Sequence, residues 1–283
     1  MAGINWFPGH MHSARKDFVE IMSKVDMVLE LVDARAPMAS TNPLTNDICT
    51  KYKKLVLKVI NKVDLADSQV TKSWLNYFKL NNSGKTICIS AKKHNINGKI
   101  IANCRDLLGA NLSPESNIKI LIAGIPNVGK STIFNSLANK KVAKVADLPA
   151  VTRRQHTLGL YREKIKIIDT PGLLWPKIHD DTTGKILAAN HNIGHNAFQE
   201  VGVAEFLGEF LTMHYPESLK KRYCVEEIKN NGASLLTKIA IKKKLVEKGN
   251  IPNIKSAANM LLRDYRAGYL GRISLEVPTK YKE

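Results

Sequence analysis

Short apolar runs alternate with amphipathic stretches along the first two thirds of the chain. The runs at residues 26–32, 55–60, 86–89, 118–122 and 164–168 are bounded by polar turn residues and are too short for helices, so they read as buried strands. Between them the apolar positions fall at helical spacing. Phe18, Ile21, Met22 and Val25 share one face of a stretch that Ser13 is placed to cap and that extends to about Lys24. Further helices are expected over residues 42–51, 68–78, 98–108 and 132–140. Strands alternating with helices imply a mostly parallel sheet covered on both faces. From about Asn190 the pattern becomes helical throughout, with helices expected over 204–213, 226–232, 235–248 and 255–269 and breaks near Pro216, Gly249 and Pro252. The expected organisation is an α/β domain at residues 1–189 followed by a small all-helical domain at 190–283.

Ligands of parallel sheets bind outside the carboxyl ends of the strands, and the polar motifs of this chain fall there. Run 118–122 leads into Gly124-Ile125-Pro126-Asn127-Val128-Gly129-Lys130-Ser131, which fits the phosphate-binding pattern G-x-x-x-x-G-K-[ST] between a strand and a helix. Backbone N–H groups from Asn127 to Thr132 are the candidate phosphate contacts, because a helix N-terminus favours negative charge. Lys130 is placed to reach the β- and γ-phosphates, and the Ser131 hydroxyl to hold Mg²⁺.

Run 55–60 leads into Asn61-Lys62-Val63-Asp64, an N-K-x-D motif. The Asp64 carboxylate can accept two parallel hydrogen bonds, which suits the N1–H and N2–H₂ edge of guanine; adenine lacks that paired edge. The Lys62 stem can pack over the base, and Asn61 can tie this loop to the phosphate loop. Ser90-Ala91-Lys92, after the third run, would complete the pocket through the Ala91 N–H. Asp169-Thr170-Pro171-Gly172 matches D-x-x-G, with Asp169 expected near Mg²⁺ and the Gly172 N–H sensing the γ-phosphate. Thr152, between these two motifs, is the candidate for the mobile threonine of the Mg²⁺ shell; its neighbours Arg153 and Arg154 suit nucleic acid instead.

Charge adds a second theme. The net charge of +18 on 283 residues is the footprint of a polyanion binder. Residues 191–283 carry fifteen basic against ten acidic side chains, a net of +5, which leaves +13 on residues 1–190. Both parts are therefore expected to touch RNA. In the tail, Lys255, Arg263 and Arg266 fall on one helical arc and Lys242-Lys243-Lys244 form a run, both suited to tracking phosphates. The four cysteines are scattered without a C-x-x-C pair, which indicates neither a zinc site nor a disulfide framework. No stretch approaches the run of about 20 apolar residues that a membrane span needs, and residues 1–11 lack a secretory pattern. A cytoplasmic monomer is expected.

The nucleotide motifs resemble those of translation-factor-class GTPases, but here the base-specificity motifs precede the phosphate loop and D-x-x-G. That order resembles the circularly permuted GTPases, and among them the ribosome biogenesis GTPase A family. The resemblance also rests on Trp6-Phe7-Pro8-Gly9-His10-Met11, Asp33-Ala34-Arg35, Leu262-Arg263-Asp264-Tyr265-Arg266 and Leu270-Gly271-Arg272. It implies a GTP-hydrolysing switch that binds a late precursor of the large ribosomal subunit, through rRNA and ribosomal proteins, and leaves after hydrolysis. Ala150 departs from the glycine usual in the family before Val151-Thr152. Leu173 and Leu174 stand where most regulatory GTPases place a water-orienting glutamine. The resemblance supplies His10 for that role and implies a K⁺ site at Asn127. A non-enzymatic alternative, an RNA-binding placeholder rigidified by GTP, also accommodates Leu173.

Overall fold

The structure, a computed structural model, describes residues 4–5, 10–81, 84–92, 96–109, 117–138, 156–160, 164–175, 177–178, 180–194, 198–225 and 231–278. Side chains are described from Lys16 onward, except those of His156 and Lys177. The elements run β1 (Ile4–Asn5), α1 (His10–Met22), β2 (Met27–Asp33), α2 (Pro43–Lys51), β3 (Leu55–Asn61), α3 (Ser68–Leu80), β4 (Lys85–Cys88), α4 (Ile96–Leu108), β5 (Ile118–Ala123) and α5 (Lys130–Ala138). They continue with β6 (His156–Leu160), β7 (Ile165–Asp169), β8 (Lys177–Ile178), α6 (Asp181–Ala189), α7 (Glu200–His214), α8 (Pro216–Tyr223), α9 (Gly232–Lys242) and α10 (Ile254–Ala267).

Six strands form one sheet in the order β4-β3-β2-β5-β7-β6. All pairs are parallel except β6 with β7, which closes the edge antiparallel. The chain moves outward from β2 through β3 to β4, then returns to the other side of β2 at β5. The order therefore reverses between β2 and β5, and the crevice outside their carboxyl ends is where a doubly wound sheet takes its ligand. The phosphate loop after β5 is central in the sheet although it comes late in the chain, which is the circular permutation expressed as strand order.

β2 is buried at all seven positions, as a parallel strand covered on both faces should be. One of these positions is Glu30, which sits opposite Lys58 of β3 in register; Lys58 Nζ lies 2.6 Å from Glu30 Oε2, with both side chains almost fully enclosed. Removing one partner of such a pair leaves a lone buried charge, at a cost of about 3–5 kcal/mol.

α1 begins at His10, one turn before the helix start expected at Ser13, so Ser13 lies within the helix rather than capping it. Phe18, Ile21, Met22 and Val25 are buried together with Val28, Leu121 and Leu173, as their spacing predicted. β1 pairs antiparallel with β8, Ile4 opposite Ile178, which pins the start of the chain beside the segment following D-x-x-G.

Five elements have no counterpart in the pattern reading: β1, β6, β8, α6 and α8. α6 is capped by Asp180, whose carboxylate accepts the Thr182 and Thr183 N–H groups. α8 starts at Pro216, read as a break; proline at the first helical turn lacks only an N–H that would have no partner there. β6 is an antiparallel edge strand. α9 ends at Lys242, well before the expected 248: Lys243 is its C-cap, Lys244 has φ +53°, and Val246 forms a bridge with Pro252. Of the helix expected over 226–232, residues 226–230 lie outside the described residues and Gly232 opens α9. α7, α9 and α10 pack on one another, and their buried residues join those of the sheet in one hydrophobic cluster. No helix among the described residues is long and apolar enough to cross a membrane.

Candidate functional site

Three loops meet at the crevice between β2 and β5, and Asn61 is the residue that links them. Its Nδ2 donates to the Val128 carbonyl at 2.8 Å, and its Oδ1 accepts the Ala91 N–H at 3.0 Å. The base loop, the phosphate loop and the Ser90-Ala91-Lys92 turn are thus fixed by one amide. Gly129, at φ +104°, faces that amide so closely that a Cβ would collide with it, hence glycine. The Ala91 N–H, expected from the sequence to complete the base pocket, is here engaged by Asn61. Ser90 is buried and Lys92 exposed beside it.

Lys62 adopts φ +64°, a conformation that costs a non-glycine residue about 1 kcal/mol or more. Two bonds hold it there: Nζ donates to Asp33 Oδ2 at 2.9 Å and to the Asn127 carbonyl at 2.5 Å. Burial pushes the Asp33 carboxyl up, but Arg35 and Lys62 beside it overcome that and keep it well below the usual carboxylate range. The Val63 N–H donates to the Ile89 carbonyl, and Asp64 beside it is partly buried.

At the phosphate end, Lys130 is buried and its Nζ donates to the Ile125 carbonyl at 2.8 Å. Ser131 Oγ lies 3.5 Å from Asp169 Oδ2. A hydroxyl and a carboxylate so placed are the hard oxygen ligands that Mg²⁺ takes alongside nucleotide phosphates, so this pair fits the ion. The Thr170 hydroxyl donates to the Ile122 carbonyl at 2.8 Å and fixes the start of D-x-x-G. Gly172 presses on the phosphate loop: a Cβ there would lie 2.8 Å from Pro126 Cα. Val128 is enclosed, Asn127 has φ +59°, and Thr132 sits partly buried in the first turn of α5.

Leu173 is a core residue. Its side chain packs with α1, and its carbonyl accepts a 2.7 Å bond from Asn42 Nδ2. Thr152 and Ala150, with Arg153 and Arg154, lie outside the described residues. So does the side chain of His10, whose backbone opens α1.

Burial pushes the Lys130 ammonium down to about 8, against the attraction of Asp169. A phosphate would raise it again, so nucleotide binding above pH 8 must take up a proton, and affinity should fall as pH rises past 8. Calorimetric GDP titrations at pH 8.5 in two buffers of different ionisation enthalpy are expected to show uptake of up to about one proton. An identical heat in both buffers would mean that Lys130 is already charged in the free site.

The helical tail touches this site directly, a contact with no local signature in the sequence. Asn192 Nδ2 donates to the Pro126 carbonyl at 2.8 Å, and Asn127 Nδ2 to the His191 carbonyl at 2.7 Å. Tyr265 of α10 donates to Asn190 Oδ1 at 2.7 Å. Arg266 donates through Nε and a terminal nitrogen to the carbonyls of Ala189 and Ala188, so it caps the C-terminus of α6 instead of extending a solvent-facing stripe. Lys242, Lys243, Lys244, Lys255 and Arg263 are exposed.

Known proteins match this arrangement. A family model described as a 50S ribosome-binding GTPase matches residues 119–206. Ribosome biogenesis GTPase A of Bacillus cereus is 38% identical over 99% of this chain and 96% of that protein. The protein of the same name from Thermotoga maritima is 30% identical, covering 97% of this chain and 95% of its own. Among solved structures, GDP-bound YlqF (TM-score 0.66, 24% identity, 93% of this chain and 100% of that one) and GNP-bound YlqF from T. maritima (0.66, 23%, 95% and 100%) share the fold. With the G-x-x-x-x-G-K-[ST], N-K-x-D and D-x-x-G motifs assembled in one crevice, and a likeness running through nearly its whole length, the chain belongs to the ribosome biogenesis GTPase A family and hydrolyses GTP.

Proposed function

We propose that this GTPase acts as a switch in late assembly of the large ribosomal subunit, engaging the precursor with GTP bound and leaving after hydrolysis. The observation that carries the reading is the contact of the 190–192 turn with the phosphate loop at Pro126 and Asn127, since the same turn is bonded to α10. A change in the loop on loss of the γ-phosphate is therefore felt where the tail attaches. The names of its relatives and the basic surface of both parts support ribosomal RNA as the polyanion bound. Lys242, Lys243, Lys244, Lys255 and Arg263 are the tail's candidate contacts; Arg266 would help hold the tail. The chain is proposed to work in the cytoplasm, as a monomer, through a GTPase unit at 1–189 and a helical unit at 190–283.

In this reading Asp64 reads the guanine edge, Lys62 covers the base, and Ser90, Ala91 and Lys92 close the pocket with Asn61 and Val63. N–H groups from Asn127 to Thr132 cradle the phosphates with Lys130. Ser131, Asp169 and Thr152 would hold Mg²⁺, which when bound neutralises charge developing between the β- and γ-phosphates. Gly172 senses the γ-phosphate. Asn127 is the proposed K⁺ ligand, which requires its amide to leave or share its contact with His191.

The attacking water needs an orienting group, and buried Leu173 offers none. The N-terminal segment is pinned beside D-x-x-G by the β1–β8 pair and by the packing of α1 on Leu173, and its first helical residue is His10. An imidazole there can position or accept a proton from water. Turnover measured with and without purified large subunits, in KCl and in NaCl at equal ionic strength, tests the scheme. Stimulation by subunits and by K⁺ is expected. A rate indifferent to subunits would sink the switch, and one indifferent to the cation the Asn127 site.

A further inference from the structure

Asp33 ends β2 at the point where the strand order reverses, between the base loop and the phosphate loop. It is fully buried. Its Oδ1 accepts the Arg35 backbone N–H and Nε, each at 3.0 Å, and its Oδ2 accepts an Arg35 terminal nitrogen at 2.8 Å and Lys62 Nζ at 2.9 Å. No step of the GTPase chemistry above uses Asp33 or Arg35. Enclosing three charges costs desolvation that their mutual attraction offsets only with good geometry, so what the triad holds in place decides its value.

One end holds Lys62 of the base loop. The other end faces the tail: the Arg35 guanidinium lies 5.2 Å from the centre of the buried Tyr265 ring in α10, close enough for cation–π attraction. The segment after α10 is clasped to the same place. The Leu275 N–H donates to the Arg35 carbonyl at 2.7 Å and the Ile273 N–H to the Leu65 carbonyl at 3.0 Å, one residue past Asp64. The Glu276 carboxylate accepts the Met38 and Ala39 N–H groups at 2.9 and 3.0 Å.

We propose that Asp33, Arg35 and Tyr265 form a relay through which the guanine loop and the helical tail set each other's position. Asp33 is a positioning residue: it holds Lys62 where the base stacks, and it does so best when α10 presents Tyr265 to Arg35. The relay meets the site at Lys62 of the 61–64 loop, so it responds to GDP as well as GTP, and it shares Tyr265 with the contact of the 190–192 turn. The inference rests on the assignment of the 61–64 loop to the base.

Reciprocity of coupling supplies the test: if docking of the tail favours the base, the base must favour docking of the tail. Amide hydrogen exchange of the full chain, nucleotide-free and saturated with GDP, is expected to slow at Ile273 and Leu275 by between about 5- and 100-fold. Arg35→Lys keeps a positive charge but loses the fork and the flat face. In that variant the GDP-induced slowing should shrink, and GDP affinity should fall by a matching factor. A purely structural Arg35 would not make exchange in the strap depend on nucleotide. Equal exchange with and without GDP in the wild-type chain overturns the relay, and that comparison stands even if Arg35→Lys fails to fold. Slowing of full size in Arg35→Lys overturns it too. Asp64→Asn separates the two levels: unaltered GDP affinity there removes the base-loop assignment itself, whereas weakened GDP binding with no protection of the wild-type strap removes only the relay.

Discussion

Asp64→Asn is expected to weaken GDP binding by at least ~100-fold while leaving the fold in place. In the proposed reading the carboxylate would make two charge-assisted hydrogen bonds with the guanine edge, each worth about 1.5–3 kcal/mol, so losing the charge and one acceptor should cost about 3 kcal/mol. Asp64 is partly exposed, and although its charge is felt at Arg35, that guanidinium keeps its bonds to Asp33, so the change leaves no buried cation unpaired. The same variant should prefer xanthine nucleotides. Xanthine has a carbonyl where guanine has its amino group, and an amide N–H₂ can donate to it. Titrations with fluorescent GDP and XDP measure both; a variant that still binds GDP as the wild type does would show that Asp64 does not read the base.

His10→Ala should reduce subunit-stimulated turnover by about 100-fold or more, the usual scale for a group that positions or deprotonates a nucleophile. The argument is one of exclusion joined to placement. Leu173 points into the cluster with Phe18, Ile21 and Met22, so the position that serves as water orienter in other GTPases is committed to packing. That same packing brings α1 onto the switch, and the β1–β8 pair fixes the chain on the other side of His10. GTP affinity, assigned in the proposed reading to the 61–64 and 124–131 loops, should be retained. Single-turnover hydrolysis with large subunits decides the matter, and a wild-type rate would return the histidine to a structural role.

The loops of the candidate site were legible because each is a local event: a strand stops, a few residues turn, and a helix or another strand begins. Asn61, Asp169 and Gly124 all stand at or just beyond the carboxyl end of a strand, where the apolar runs placed them. The placement of these loops around one crevice could therefore be read from the chain in pieces. What could not be read is held by contacts between distant residues. Nothing near Arg266 marks it as a cap for α6, since helical periodicity put it on a solvent arc with Lys255 and Arg263. Nothing near Leu173 says that Asn42 holds its carbonyl. Glu30 and Lys58 each interrupt an apolar run, and only strand register shows that the interruptions face one another. Pro216 illustrates an ambiguity of sign: the residue that ends helices also begins them, and here it begins α8. Asp33 and Arg35 were visible as a family likeness without a physical role until the tail was seen lying against them.

The bond between Met38 and Glu276 joins residues 238 positions apart, almost the whole length of the chain. During synthesis the base loop emerges early and the phosphate loop later, while the strap that fastens the base side is made near the end. No partial chain shorter than residue 276 can fasten that side, however well its sheet has formed. The order in which the permuted chain leaves the ribosome thus keeps residues 35–39 and Leu65 without their strap until residues 273–276 have been made, long after the strands they follow.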